Sequence, residues 1–313
     1  MGNPYLFIVG CPRSGTTLLQ RVVNAHPQIA ILPEAHWIYQ LLTEATVVTE
    51  NGAIAPALIP ALLAHPKFGL LGISHEQIRR LIGEDRHVGY PSFVSRIFDL
   101  YGELQGKQLV GNKTPGLVRR LDVVHALWPE ARIVHLIRDG RDVYLSMKNR
   151  PLHLDPVALG GWSEDLVSTA ALWWEFNVQQ GRNARRFFGS ELYCEVRFES
   201  LVTSPGEVCT TLCMFLGLPY SQKMAKFYEK RKRKRASDPS RRGLRDWRSQ
   251  MQSKDIEMFE AVAGNTLEDL GYSRACSHPG DELVQRSTRR RNLMLEQSAR
   301  STEIWAGRLS KFG

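Results

Sequence analysis

No uninterrupted apolar run among the 313 residues approaches the roughly 20 that a membrane-crossing helix needs, although hydrophobic residues make up a globular 43%. Cysteine pairing is also missing. Cys11, Cys194, Cys209, Cys213 and Cys276 are an odd, scattered set with no Cys-x-x-Cys spacing, which reads as reduced structural thiols. Cys209 and Cys213, four apart in an amphipathic stretch, are placed on one core face. The histidines show no His-Glu-x-x-His spacing, so no metal is implied. A strand pattern already begins at Tyr5, leaving no room for the regions of a signal peptide, and Leu6 stands where a myristoylation site needs Ser or Thr. These absences predict a soluble, cytoplasmic chain. Its length suits one large α/β domain with insertions.

A basic surface is lacking over most of the chain. The formal charge is +9, but ten basic and two acidic residues between Lys230 and Arg248 supply +8 of it, leaving +1 for the remainder. A solvated basic loop is the plain reading of 230–248. Basic charge without interleaved aromatics gives little support to a nucleic-acid partner.

What is present is alternation. Apolar runs bounded by turn residues recur at 5–9, 29–32, 107–110, 132–138 and 192–196, with helical patterns between them. This predicts an α/β, P-loop-like three-layer fold with a central parallel sheet and helices on both faces. Ligands then gather beyond the carboxyl ends of the strands. Helices are predicted at Thr16–Asn24, near 75–83 with Ser74 as N-cap, at 91–104, from Asp142 onward, and at about 163–188, where Trp173 and Trp174 read as core. One domain is assigned over 1–272, with an insertion at about 40–106 walling a pocket. A polar tail follows over 273–313.

The segment Phe7-Ile8-Val9-Gly10-Cys11-Pro12-Arg13-Ser14-Gly15-Thr16-Thr17 is a buried strand running into a glycine-bounded turn and a helix start. Backbone N–H groups of such a turn, together with a helix N-terminus, cradle a phosphate or sulfate. An ATP-binding loop would place Lys after the second glycine. Thr16 stands there instead, and the charge moves forward to Arg13.

Pro12-Arg13-Ser14-Gly15-Thr16-Thr17-Leu18, with Asn24-Ala25-His26-Pro27 and Glu34, resembles the opening of the sulfotransferases that use 3′-phosphoadenosine 5′-phosphosulfate (PAPS), especially the tyrosylprotein and bacterial branches. Three further segments follow in order: Gly111-Asn112-Lys113-Thr114-Pro115; Ile133 to Val143 with Ser146; and Arg197-Phe198-Glu199-Ser200-Leu201-Val202 with Pro205 and Phe215-Leu216-Gly217-Leu218. The resemblance spans residues 5 to about 220 and implies sulfuryl transfer from PAPS to a hydroxyl, with PAP as product. It assigns Arg13 and Lys113 to charge compensation, and Ser14, Gly15, Thr16 and Thr17 to the cradle. Arg138 and Ser146 take the 3′-phosphate and Phe198 stacks on adenine. Glu34, 21 residues after Arg13, matches the glutamate base of the tyrosylprotein branch; His36 competes for that role. Arg241-Arg242-Gly243 with Asp246-Trp247-Arg248 is similar to the closing loop of cytosolic members, one residue short and lacking its second glycine.

A P-loop small-molecule kinase would share the fold but needs a cradle lysine and a magnesium-holding acid at a strand end, where this chain has Arg138. A non-enzymatic nucleic-acid binder would rest on 230–248 alone. The acceptor is expected to be a small intracellular molecule or a glycolipid, because no membrane anchor is seen; oligomeric state has no signal.

Overall fold

The computed structural model describes residues 4–44, 46–83, 88–148, 165–236, 246–276, 280 and scattered positions between 285 and 310. Strands β1 (Leu6–Val9), β2 (Ile29–Leu32), β3 (Leu109–Lys113), β4 (Arg132–Ile137) and β5 (Tyr193–Arg197) form one sheet in the order β2-β3-β1-β4-β5. Every pairing is parallel: Leu6 lies opposite both Gly111 and Arg132, Ile29 opposite Leu109, and Ile133 opposite Tyr193. All carboxyl ends therefore leave one edge. The connection leaving β1 runs toward β2 while that leaving its neighbour β4 runs the opposite way toward β5, so a switch point, where crevices form in open α/β sheets, lies between β1 and β4.

Helices fill the connections: α1 (Thr16–Asn24), α2 (Trp37–Gln40), α3 (Leu58–Ala64), α4 (His75–Ile82), α5 (Tyr90–Leu104), α6 (Leu121–Leu127), α7 (Gly140–Lys148), α8 (Leu166–Asn183), α9 (Arg185–Leu192), α10 (Phe198–Thr203), α11 (Pro205–Phe215), α12 (Gln222–Ala236), α13 (Trp247–Gln250) and α14 (Ser253–Asp269). β1 has every side chain buried, as a central parallel strand requires. Its alternation sorts the layers. Phe7 and Val9 join a core with α2, α5 and α6, while Leu6 and Ile8 join one with α1, α11 and α12. A third core packs α7 against α8 and α14. The predicted three-layer α/β architecture is thus present.

Ser74 caps α4 as predicted. Its hydroxyl accepts from Gln77 N at 3.2 Å while Gln77 Oε1 accepts from Ser74 N at 2.9 Å, the reciprocal capping box. Trp173 and Trp174 are core residues, and Cys209 and Cys213 lie buried together as free thiols.

Two segments differ from expectation. The basic run at 230–235 is not loop: α12 continues to Ala236, held by buried Met224 and Tyr228, with Tyr228 donating to Val202 O at 3.0 Å. Lys223, Lys226, Lys230 and Arg233 occupy its solvent face. The boundary expected at 272 also falls within an anchored segment. Ala275 N and Cys276 N donate to Glu260 Oε2 at 3.0 and 2.7 Å, and Arg291 reaches Glu175 at 2.7 Å.

α5 is fastened to the sheet by aromatic packing. Phe98 stacks on Trp128 at 5.9 Å and meets Tyr5 edge-on at 5.2 Å and Phe7 at 6.1 Å. Phe98→Ala is expected to lower unfolding free energy by about 3–5 kcal/mol, read from the urea midpoint at unchanged slope, while the remaining folded protein keeps its ligand affinity.

Candidate active site

Five segments leave the carboxyl edge side by side. Gly10 follows β1 and Pro33 follows β2; Lys113 ends β3; Arg138 follows β4 and Phe198 follows β5. Residues far apart in sequence are brought together because the strands that carry them are hydrogen-bonded neighbours.

The turn after β1 is glycine-bounded for steric reasons. Gly10 has φ +152°, and a Cβ there would strike the Leu136 carbonyl oxygen of β4; at Gly15, φ +101°, it would lie 2.5 Å from the Phe198 ring. Between them Arg13 adopts φ +76°, the one non-glycine positive φ among the described residues. Such a conformation costs on the order of 1–3 kcal/mol. It delivers the guanidinium to α7, where Arg13 Nε donates to Ser146 Oγ at 3.1 Å. No side chain caps α1, so its leading amides face the turn.

Glu34 is held by the β3 segment. Asn112 Nδ2 donates to Pro33 O at 3.1 Å and Ala35 N donates to Thr114 Oγ1 at 2.9 Å, so the residues flanking Lys113 grip those flanking Glu34. Lys113 Nζ, almost fully buried, contacts Glu34 Oε1 and reaches Thr17 Oγ1 at 3.4 Å. Glu34 Oε2 meets His36 Nε2 at 3.3 Å, and His36 Nδ1 meets the Tyr39 hydroxyl at 2.8 Å. The His36 imidazole, and then Lys113, bring the Glu34 carboxyl down to about 2 against the upward pull of burial. Glu34 and His36, competitors in the sequence, are consecutive members of one chain: Thr17, Lys113, Glu34, His36, Tyr39.

On the β4 side, Arg138 lies with its guanidinium carbon 4.3 Å from the centre of the Phe198 ring and Nη2 3.4 Å from Asp142 Oδ2. Its carbonyl accepts from Trp174 Nε1 at 2.9 Å. Phe198 is only 6% exposed, packed between Gly15 and Arg138. The Arg138 guanidinium and the turn after β1 both rest against its ring. Burial pushes the Asp142 carboxyl up to about 6, opposed by Arg138. Beneath, fully buried Arg141 binds Asp139 Oδ2 at 2.7 Å and Glu260 Oε1 at 2.6 Å.

The structure therefore gathers Arg13, Ser14, Gly15, Thr16, Thr17, Glu34, Lys113, Arg138, Ser146 and Phe198 along one edge. Arg241, Arg242 and Gly243 lie outside the described residues. The chain is described again from Asp246, and Trp247 N donates to Asp142 Oδ1 at 2.9 Å, beside Arg138. Sequence reasoning missed Tyr39 and Glu260, and quoted Asn112 and Thr114 beside Lys113 without giving them a role. Tyr39 had a signal, standing three after His36 at helical spacing; Glu260 had none.

A carboxyl lowered from 4.5 to about 2 stabilises the fold above its unfolded value, and that stabilisation is lost as pH falls through the folded one. Between pH 4.5 and 2 the wild type is expected to lose more melting temperature than Glu34→Gln, measured by thermal unfolding at matched ionic strength. Parallel acid limbs would show that the Lys113 and His36 contacts add no stability.

Comparison with known proteins follows the same outline. Over 305 residues the chain is 24% identical to protein-tyrosine sulfotransferase 1 of Danio rerio, covering 92% of this chain and 78% of that one. It is 24% identical over 300 residues to the nodulation protein NoeE of Sinorhizobium fredii, covering 88% and 67%. Among solved structures, the sulfotransferase domain of the Synechococcus PCC 7002 olefin synthase superposes with a TM-score of 0.55 at 24% identity, over 87% of this chain and 96% of that one. The sulfotransferase domain of the curacin biosynthetic pathway gives 0.55 at 17%, over 87% and 99%. Residues 4–222 match the family model described as Sulfotransferase family, and the chain belongs to that family.

Proposed function

We propose that this sulfotransferase takes its sulfuryl group from PAPS and passes it to the hydroxyl of an acceptor, with Glu34 as general base. The observation that carries this reading is the 3.1 Å hydrogen bond from Arg13 Nε to Ser146 Oγ. It joins the turn after β1 to the helix after β4, so the two anion-binding segments form one surface. Two buried polar atoms on that surface, Ser14 Oγ and Arg138 Nε, have no hydrogen-bond partner among the described residues. Leaving such a group unpaired costs about 1–3 kcal/mol, and phosphate oxygens are suitable acceptors for both. The uncapped start of α1 favours an anion further.

PAPS supplies an activated sulfur–oxygen bond when bound. Glu34 accepts the acceptor's proton as the acceptor oxygen bonds to sulfur, and the electron pair of the broken bond stays on the departing phosphate. Arg13 and Lys113 meet the charge that develops there, each well-aimed donor being worth about 2.7–4 kcal/mol of barrier. Arg138 and Ser146 hold the 3′-phosphate; the planar guanidinium, braced flat by Phe198, suits a phosphate because two parallel bonds can form. Lys113 is the coupling element. Reaching Thr17 on one side and Glu34 on the other, it withdraws from the carboxylate as it follows the phosphate charge. Glu34 then loses a contact that lowers its carboxyl and becomes a better proton acceptor as the proton is released.

Calorimetry tests the donor. PAP should bind far more tightly than AMP, and Arg138→Ala should erase most of that difference; equal affinity of the wild type for AMP and PAP would overturn the assignment. Glu34→Gln tests the base, with kcat expected to fall by roughly 10²–10⁴ while PAP affinity is retained.

A further inference from the structure

Glu34 divides its two oxygens. Oε1 belongs to Lys113, and Oε2 meets His36 Nε2 at 3.3 Å. On the reading above, Lys113 must leave Oε1 during the reaction, yet a base that swings freely when its partner departs loses the alignment on which proton transfer depends. Its remaining contact is the imidazole. The imidazole is held in turn by Tyr39, whose hydroxyl lies 2.8 Å from Nδ1, with the rings edge-to-face at 5.9 Å between centroids. His36 sits immediately before α2 and Tyr39 within it, so both partners share a rigid element with the Pro33–Ala35 turn that β3 grips.

We infer that His36 and Tyr39 are positioning residues that hold the general base through Oε2 while Oε1 exchanges Lys113 for the acceptor hydroxyl. This rests on Glu34 being the base. The Tyr39 hydroxyl donates to Nδ1 and leaves the imidazole proton on Nε2, where it is given to Oε2; which ring nitrogen is protonated follows from what the other one bonds. Oε2 thus has a fixed donor, the carboxylate torsion is set, and Oε1 is the oxygen that takes the proton. No proton crosses the imidazole. It forms on Oε1 from the acceptor's broken O–H bond and leaves to solvent, since the Glu34 side chain is 31% exposed. A base oriented in turn by a third group is a recurring arrangement in sites that activate a nucleophile.

The charged and titratable groups around the pair are Lys113 from β3, Tyr39 from α2, His65 at the end of α3, which feels His36, and Arg120 ahead of α6, which feels Tyr39. Of these, Lys113 touches Glu34, so the pH profile of a His36 variant reports on Glu34 with one other neighbour unchanged.

The test measures kcat, PAP affinity and the pH dependence of kcat/KM for His36→Ala, His36→Gln and Tyr39→Phe, beside Glu34→Gln. His36→Ala should lower kcat by up to about a hundredfold with PAP affinity retained, and should move the acid limb to higher pH, because the imidazole contact that most lowers Glu34 is gone. His36→Gln, which keeps an N–H donor, should recover part of the rate. Tyr39→Phe should shift both quantities in the same direction by less. Wild-type kcat and an unmoved acid limb in His36→Ala, with Glu34→Gln inactive, would overturn the positioning role and leave the base intact. An active Glu34→Gln with both His36 variants inactive would instead overturn the base assignment and make His36 the proton acceptor. A loss in His36→Ala confined to melting temperature, with kcat per folded molecule unchanged, would also overturn the inference.

Discussion

The position of β1 between β3 and β4 is the constraint on which the rest depends. Parallel pairing forces all five carboxyl ends to one edge, and the connections that diverge from β1 and β4 open a crevice between them. Its neighbours then determine the chemistry. β3 brings Lys113 to one side of the cradle and β4 brings Arg138 to the other, so cations from residues 13, 113 and 138 converge without any local sequence relation. Gly10 and Gly15 follow from the same closeness, because β4 and the Phe198 ring occupy the space that side chains would need.

Converging cations are expensive unless carboxylates balance them, and the structure handles this in two depths. At the bottom, Arg141 is wholly buried between Asp139 and Glu260, donates to Ser273 O at 2.9 Å and faces the Trp247 ring at 3.5 Å. Removing one partner of such a buried set is typically worth 3–5 kcal/mol, about as much as a large core side chain. These bonds tie α7 to α14 and to the residues after it, making the C-terminal segment part of the platform beneath Arg138. Nearer the crevice stand Arg138 with Asp142 at 3.4 Å, and Lys113 with a Glu34 that remains partly open to solvent.

Much of this was legible in the sequence because strands buried on both faces read as unbroken apolar runs. The limits of β1, β2, β4 and β5 lie within about a residue of those runs. β3 was harder. It extends through Gly111, Asn112 and Lys113, small or polar residues that periodicity cannot distinguish from a loop, and they are in the strand because they pair with β1 on one side and the end of β2 on the other. α12 was misread for a related reason: its charge run suggested a solvated loop, while the Met224 and Tyr228 contacts that make it a helix begin before the run. Phe198 shows what a motif leaves out about surroundings. Its position after β5 was readable, but its burial depends on Arg138, sixty residues earlier, lying across its ring.

Glu34 and His36 illustrate the same limit at the centre of the site. Two residues apart, each with a plausible claim to the proton, they looked like alternatives because a sequence shows identity and spacing but not which oxygen faces which nitrogen. In three dimensions the spacing sets them end to end, with Tyr39 behind and Lys113 in front. A carboxylate lowered to about 2 is a poor base while both partners hold it, so the proposed role for Glu34 requires one contact to be conditional. Lys113 is suited to be the conditional one, since Thr17 of the cradle already lies within its reach; His36, anchored by α2, is suited to be the permanent one. On the proposed reading, proton acceptance is tied to the arrival of negative charge in the cradle, so that the base strengthens at the step in which the sulfur–oxygen bond breaks.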